Sequence, residues 1–124
     1  EKIGGDFPVS AKNVVDIAVT NDKAKGITAD EDSEVTVWDI QKRGEPLKKF
    51  KAHALPCYTI LLSPDAKRLA TVAEGEVKLW DADEFKELRA WSLPTNVKAL
   101  TFTPDGKSIV TVNGDATVFL LELP

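Results

Sequence analysis

Apolar and polar residues alternate in short runs along this chain, and the runs recur in a fixed order. Ile17 and Val19, Ile60 and Leu62, and Leu100 and Phe102 each lead into a turn of like composition: Thr20-Asn21-Asp22, Ser63-Pro64-Asp65 and Thr103-Pro104-Asp105. Alternation at every second position is the period of a half-buried strand, not of a helix. Beyond each turn lie Gly26-Ile27-Thr28-Ala29, Arg68-Leu69-Ala70-Thr71-Val72 and Ser108-Ile109-Val110-Thr111-Val112, short and rich in β-branched residues. Each turn therefore joins two strands of a hairpin.

Polar segments follow, Asp30-Glu31-Asp32-Ser33-Glu34, Glu74-Gly75-Glu76 and Asn113-Gly114-Asp115-Ala116. Asn113-Gly114 is among the strongest short hairpin signals, since both residues tolerate positive φ. Third strands read Val35-Thr36-Val37-Trp38-Asp39, Val77-Lys78-Leu79-Trp80-Asp81 and Val118-Phe119-Leu120-Leu121-Glu122. More polar fourth strands fit Leu47-Lys48-Lys49-Phe50-Lys51 and Glu87-Leu88-Arg89-Ala90-Trp91, as expected of an edge that faces water. One unit of roughly forty residues is thus written three times, each a meander of antiparallel strands.

From Val14 to Pro124 the chain resembles WD40 repeats. Val97-Lys98-Ala99-Leu100-Thr101-Phe102-Thr103-Pro104-Asp105-Gly106-Lys107 is close to that family's first strand and turn, and Trp38-Asp39 and Trp80-Asp81 stand where the family takes its name. The resemblance implies an all-β fold of about three four-stranded antiparallel WD40-type β-propeller blades, an incomplete ring in one chain. Residues 1–13 form an N-terminal segment and possible closing strand, 14–56 blade 1, 57–96 blade 2, and 97–124 blade 3. The outer strand of blade 3 is missing, or supplied by Lys2-Ile3 or the segment through Phe7, in cis or from a neighbouring copy.

The resemblance also implies a buried hydrogen-bond network within a blade, assigned to His53, Thr71, Trp80, Trp38, Asp39 and Asp81. Blade 2 holds most of it, with Glu74 as the acid offered by the tight turn. In blade 1 Ala29 stands for the hydroxyl and no His precedes the first strand; in blade 3 Leu121 replaces the Trp. His53, the only histidine, reads as a structural imidazole bonded to Thr71 or Trp80, because unpaired buried polar groups cost ~1–3 kcal/mol each. No converging ligands surround it, so no metal and no cofactor are expected. Cys57, the only cysteine, reads as a small buried hydrophobe and excludes an internal disulfide.

A net charge of −4 with interspersed signs argues against nucleic acid as a partner. Lys48-Lys49-Phe50-Lys51 reads as a solvated edge, and no apolar run approaches the ~20 residues of a membrane span. Opening on Glu1 without Met or a signal pattern, the sequence reads as processed at its start. A soluble chain, cytoplasmic by default, is expected.

Three blades fall short of the roughly four to eight of a propeller, so two blade faces are expected to stand open. The chain pairs with a copy of itself into six blades, belongs to a longer propeller, or takes its missing blades from another protein. A non-catalytic interaction or scaffold module is the expected function. Its candidate partner-binding face gathers Asn13, Asp30, Glu31, Asp32, Pro56, Tyr58, Glu74, Asn96, Lys98, Asn113 and Asp115 on one side of the ring. The acidic surplus predicts a protein or peptide ligand bearing Lys or Arg. The alternative is a propeller enzyme or ligand-binding sensor with a site at the channel mouth, which needs convergent His and carboxylate groups that one His does not supply. Asp30-Glu31-Asp32-Ser33-Glu34 lacks the Gly and distant Glu of a helical calcium loop.

Overall fold

The structure, a computed structural model, describes residues 12–20, 22–42 and 45–124. Eleven strands run through them: β1 (Val14–Val19), β2 (Lys25–Asp30), β3 (Glu34–Asp39), β4 (Glu45–Lys51), β5 (Cys57–Leu62), β6 (Arg68–Ala73), β7 (Glu76–Asp81), β8 (Glu87–Ser92), β9 (Val97–Phe102), β10 (Ser108–Asn113) and β11 (Val118–Glu122). They form antiparallel meanders β1-β2-β3-β4, β5-β6-β7-β8 and β9-β10-β11, so the first two blades have four strands and the third has three among the described residues. Among the described residues the sheets stack in sequence and do not close into a ring.

Period-two alternation gives each blade two faces, and the chain uses them the same way at both junctions. Ile27, Ala29, Val35 and Val37 of blade 1 lie against Ile60, Leu69, Trp80 and Phe85 of blade 2. On its other face, blade 2 turns Ala70, Val72, Val77 and Leu79 against Phe102, Ile109 and Leu121 of blade 3. The forward face of one blade thus meets the rear face of the next. Blade 2, covered on both sides, has β6 almost wholly buried, as the unbroken apolar run Leu69-Ala70 and Val72-Ala73 around Thr71 requires. Aromatic side chains from the outer strands finish each junction: Phe50 lies 4.7 Å from the Trp80 ring and 5.8 Å from that of Phe85, and Trp91 joins the second cluster.

The hairpin turns explain the repeated Thr or Ser and Asp. Thr20, Ser63 and Thr103 donate their hydroxyls to Asp22, Asp65 and Asp105 at 2.7, 2.6 and 2.6 Å. Those carboxylates accept the N–H of Ala24, Lys67 and Lys107, each at 2.9 Å, which closes the turn. A left-handed residue ends each one, Lys23 at φ 59°, Ala66 at φ 58° and Gly106 at φ 70°, and only the glycine takes that conformation without a Cβ penalty.

The opposite turns differ from the sequence expectation. Asn113 ends β10, and the residue with positive φ between β10 and β11 is Ala116, at 69°, not Asn113 or Gly114. The connection is a longer loop closed by Asn113 N–H to Thr117 C=O at 2.9 Å, so the left-handed position falls late in it, as in hairpins of more than two loop residues. Lys2-Ile3 and the segment through Phe7 lie outside the described residues.

Candidate interaction site

Buried side chains in blade 2 form one directed chain of hydrogen bonds. Trp80 Nε1 donates to Thr71 Oγ1 at 2.9 Å, Thr71 Oγ1 lies 2.8 Å from His53 Nε2, and His53 Nδ1 lies 2.6 Å from Glu76 Oε1. A carboxylate only accepts, so Nδ1 carries a proton; Thr71, already accepting from the indole, then has its own O–H to give to Nε2. Every member is satisfied, and His53 is buried with both ring nitrogens engaged. The acid is Glu76, not Glu74. Register explains the substitution: Ala73 opposite Cys57 occupies the position of Asp30 opposite Val14, so no carboxylate is available at the end of β6 and the longer Glu76 arm reaches back from β7.

Blade 1 also carries the Trp-to-hydroxyl bond, from Trp38 Nε1 to Thr28 Oγ1 at 2.9 Å. The hydroxyl is therefore Thr28, and the expectation that Ala29 takes its place is corrected. Gly26 faces Trp38 as Leu69 faces Trp80, which makes Thr28 the counterpart of Thr71; the β2–β3 connection is longer than that of blade 2 and shifts the spacing. Asp39 and Asp81 stand outside this chain of bonds. Each accepts backbone N–H groups of the following turn, Asp39 from Gln41 and Lys42 at 3.0 and 3.1 Å and Asp81 from Asp83 and Glu84 at 2.7 and 2.9 Å. Those bonds hold the Asp81 carboxyl below the usual carboxylate range. In blade 3 Thr111 faces Phe119 and Ile109 faces Leu121, so the Thr111 hydroxyl is buried without a Trp or His to meet it.

One inter-blade bond escaped the sequence reading. Asp16, on the face of β1 opposite to Ile17 and Val19, accepts from Thr59 Oγ1 at 2.8 Å and from Ile60 N–H at 2.9 Å, tying the innermost strands of blades 1 and 2. Its signal was a lone charge in the alternating stretch Val14-Val15-Asp16-Ile17. On the next junction Tyr58 donates its hydroxyl to Val97 C=O at 3.0 Å.

The side of the blades holding the 30–34, 54–56, 74–76 and 113–117 connections is the candidate partner face, and it divides into depressions. One is lined by Lys12, Asp30 to Asp32, Glu34, Lys49, Lys51 and Ala54 to Pro56. A second lies between blades 2 and 3 and brings together Pro56, Tyr58, Glu74, Asn96, Val97 and Lys98. Asn13 reaches Glu31 at 3.3 Å. Lys12 sits 3.7 Å from Asp32 and Lys49 3.6 Å from Glu34, which offsets part of the acidic surplus. Asp30 is buried and turned inward, where its Oδ1 accepts the N–H of Asp32 and Glu34 at 2.9 and 3.0 Å. Asn113 is likewise buried, bonding Thr117 Oγ1 at 3.1 Å, while exposed Asp115 caps its own turn. Exposed Leu55 stands between the first depression and a third, lined in part by Glu74 and Glu76. Burial pushes the Cys57 thiol and the Tyr58 hydroxyl upward. Among the described residues no three His, Cys, Asp or Glu side chains gather as metal ligands.

Four-stranded meanders stacked forward face on rear face, each complete blade with an indole bonded to a threonine, are the units of a β-propeller. Residues 44–81 match the WD domain, G-beta repeat family, WD40, so that stretch is a WD40 repeat. It is 35% identical over 78 residues to eukaryotic translation initiation factor 3 subunit I of Aspergillus oryzae, a match covering 62% of this chain and 23% of that protein. The same subunit of Coccidioides immitis is 36% identical over 70 residues, covering 56% of this chain and 21% of that protein; that of Pyricularia oryzae is 32% identical over 82 residues, covering 65% and 24%. The match thus spans less than a quarter of the length of these curated relatives.

Proposed function

We propose that the chain is a non-catalytic protein-interaction and scaffold module that completes a propeller by joining blade faces, with a second copy as its partner. The carrying observation is the forward face of blade 3, where Val112, Val118 and Leu120 stand exposed. These positions repeat the residues that blades 1 and 2 bury at their junctions. Blade 1 exposes the complementary half, with Ile17 and Val19 on its rear face at the positions of Ile60 and Leu62. One chain therefore offers both halves of the junction it makes twice internally. Relatives named as a subunit of a larger factor support membership of an assembly. The same face would serve a further blade of a longer chain. Light scattering across a concentration series tests the reading: a 124-residue chain with twice the 13.5 kDa mass is expected, reverting to 13.5 kDa in Leu120→Lys. A wild-type chain that stays monomeric throughout would refute it.

The exposed Leu55 and Tyr58 among carboxylates support a Lys- or Arg-bearing peptide as ligand of the turn-bearing side. Charge reversal at Asp32 and Glu74, both exposed, separates the effect from folding; Asp30, which holds its turn, does not. Binding of a Lys-rich peptide that ignores both reversals and added salt would sink this second reading.

A further inference from the structure

The outer strands of the two complete blades each leave one edge without a partner strand among the described residues, and the two edges differ in charge. Ala52 N–H donates to Ser33 C=O at 2.8 Å, so along β4 the backbone groups of Phe50 and Lys48 also turn toward β3 and those of Lys49 and Lys51 turn away. Leu93 N–H donates to Gly75 C=O at 2.8 Å, which sets Trp91 and Arg89 of β8 toward β7 and Ala90 and Ser92 away. Lys49 and Lys51 therefore occupy the positions of Ala90 and Ser92.

Lysine on a sheet edge can serve simply to discourage strand pairing. Here a β-bulge in each outer strand already does so, where the register shifts beside Trp38 in blade 1 and beside Trp80 in blade 2. β8 keeps its edge with that bulge and two small uncharged residues, so edge protection does not account for the lysines of β4. Lys49 and Lys51 stand on one face of the strand, both exposed. Lys48, on the other face, donates its ammonium to Glu84 C=O at 2.7 Å. Among the described residues one carboxylate comes within ion-pair distance of the three, Glu34 at 3.6 Å from Lys49. The edge keeps a positive surplus.

We propose that the outer edge of β4 is a docking strand for an extended acidic peptide, whose carboxylate side chains two residues apart pair with Lys49 and Lys51 while its backbone takes up their outward N–H and C=O groups. Main-chain bonds supply the attachment and the lysines the selectivity, as in strand addition to a sheet edge. Antiparallel addition sets each acidic residue directly opposite a lysine, where opposite charges attract across the ladder. The bulge that leaves Leu47 unpaired ends the ladder, so the added strand is short. This ligand is separate from the blade-face junction and opposite in charge to the peptide proposed for the turn-bearing side, and charge tells the two apart.

The test uses the full chain and a peptide of about eight residues alternating glutamate and valine, within the length of an ordinary strand. Titration followed by NMR at low salt should give saturable shifts and slower exchange of the Lys49 and Lys51 amides, with those of Ala90 and Ser92 unchanged. Lys49→Gln with Lys51→Gln should keep the strand signal in circular dichroism and weaken binding about two- to thirtyfold, the scale of two cross-strand charge pairs. The same peptide N-methylated at its glutamates keeps its charge, loses the ladder and should not bind. Equal binding by the methylated peptide, or by a single-stranded oligonucleotide that leaves those amides exchanging as before, would show a general polyanion surface and overturn strand addition. A peptide that gives no saturable shift at millimolar concentration, or that binds the double variant as tightly as the wild type, overturns it as well.

Discussion

Replacing a buried threonine by valine keeps the shape and deletes the hydroxyl, and this chain offers the same change at two equivalent positions with opposite surroundings. Thr71 and Thr111 are both 0% exposed on central strands. Thr71 Oγ1 accepts the Trp80 indole N–H at 2.9 Å and serves His53 Nε2 at 2.8 Å; Thr111 Oγ1 has no partner. In Thr71→Val two buried polar groups lose their partner at about 1–3 kcal/mol each, so a loss of roughly 2–6 kcal/mol is expected. In Thr111→Val an unmade hydrogen bond is removed from an apolar site, and a change between zero and about 1 kcal/mol of stabilisation is expected. Urea unfolding at one fixed protein concentration measures both, provided the slope of the transition is unchanged. Equal losses in the two variants, or a loss below about 1 kcal/mol for Thr71→Val, would refute the claim that the hydroxyl and not the methyl gives this position its importance.

Asp16→Ala removes a carboxylate that accepts three hydrogen bonds, one from Ile17 N–H at 2.8 Å and two across the blade 1–2 junction. A loss of about 1.5–3 kcal/mol is expected, and exchange of the Ile60 amide should accelerate; an unchanged amide would show that the inter-blade bond does not persist. Asp22, Asp65 and Asp105 are held below the ordinary carboxylate value, first by the hydroxyls of Thr20, Ser63 and Thr103 and then by backbone N–H groups. A depressed folded-state value means that the unfolded chain binds protons first, so this stabilisation is present above about pH 4 and is lost as pH falls through the folded values. The triple Asp→Asn variant should show a shallower loss of thermal stability between about pH 4 and pH 2, and an identical profile would remove these turns from the acid response.

The phase of the repeat was legible because three turns carry the same short grammar, and a turn that needs a hydroxyl and a carboxylate two residues apart leaves that spacing in the sequence. Strand order followed from the same phase. The finer equivalences were not legible from residue type alone. Thr28 was passed over for Ala29 because a longer β2–β3 connection moves the Trp relative to the Thr without changing what faces what across the ladder. Glu76 was overlooked because the acid sought belonged in the turn, and only register shows Ala73 there and a longer side chain able to reach His53 from the neighbouring strand. The candidate partner face was placed on one side of the blades, but chain order could not reveal that Asp30 and Asn113 spend their side chains on their own turns.

The double burial of blade 2 sets an order of release. Leu69, Ala70, Thr71 and Val72 are all 0% exposed, with a strand on each side and a sheet on each face. Their amides can meet solvent only when the whole chain opens, whereas β1 and β11, each at the edge of a terminal sheet, can fray alone. Hydrogen exchange should therefore divide the molecule into a slow centre and two fast flanks, and docking a second copy should slow the flanks while barely touching the centre. The surfaces proposed for a partner are the same ones the isolated chain holds least firmly.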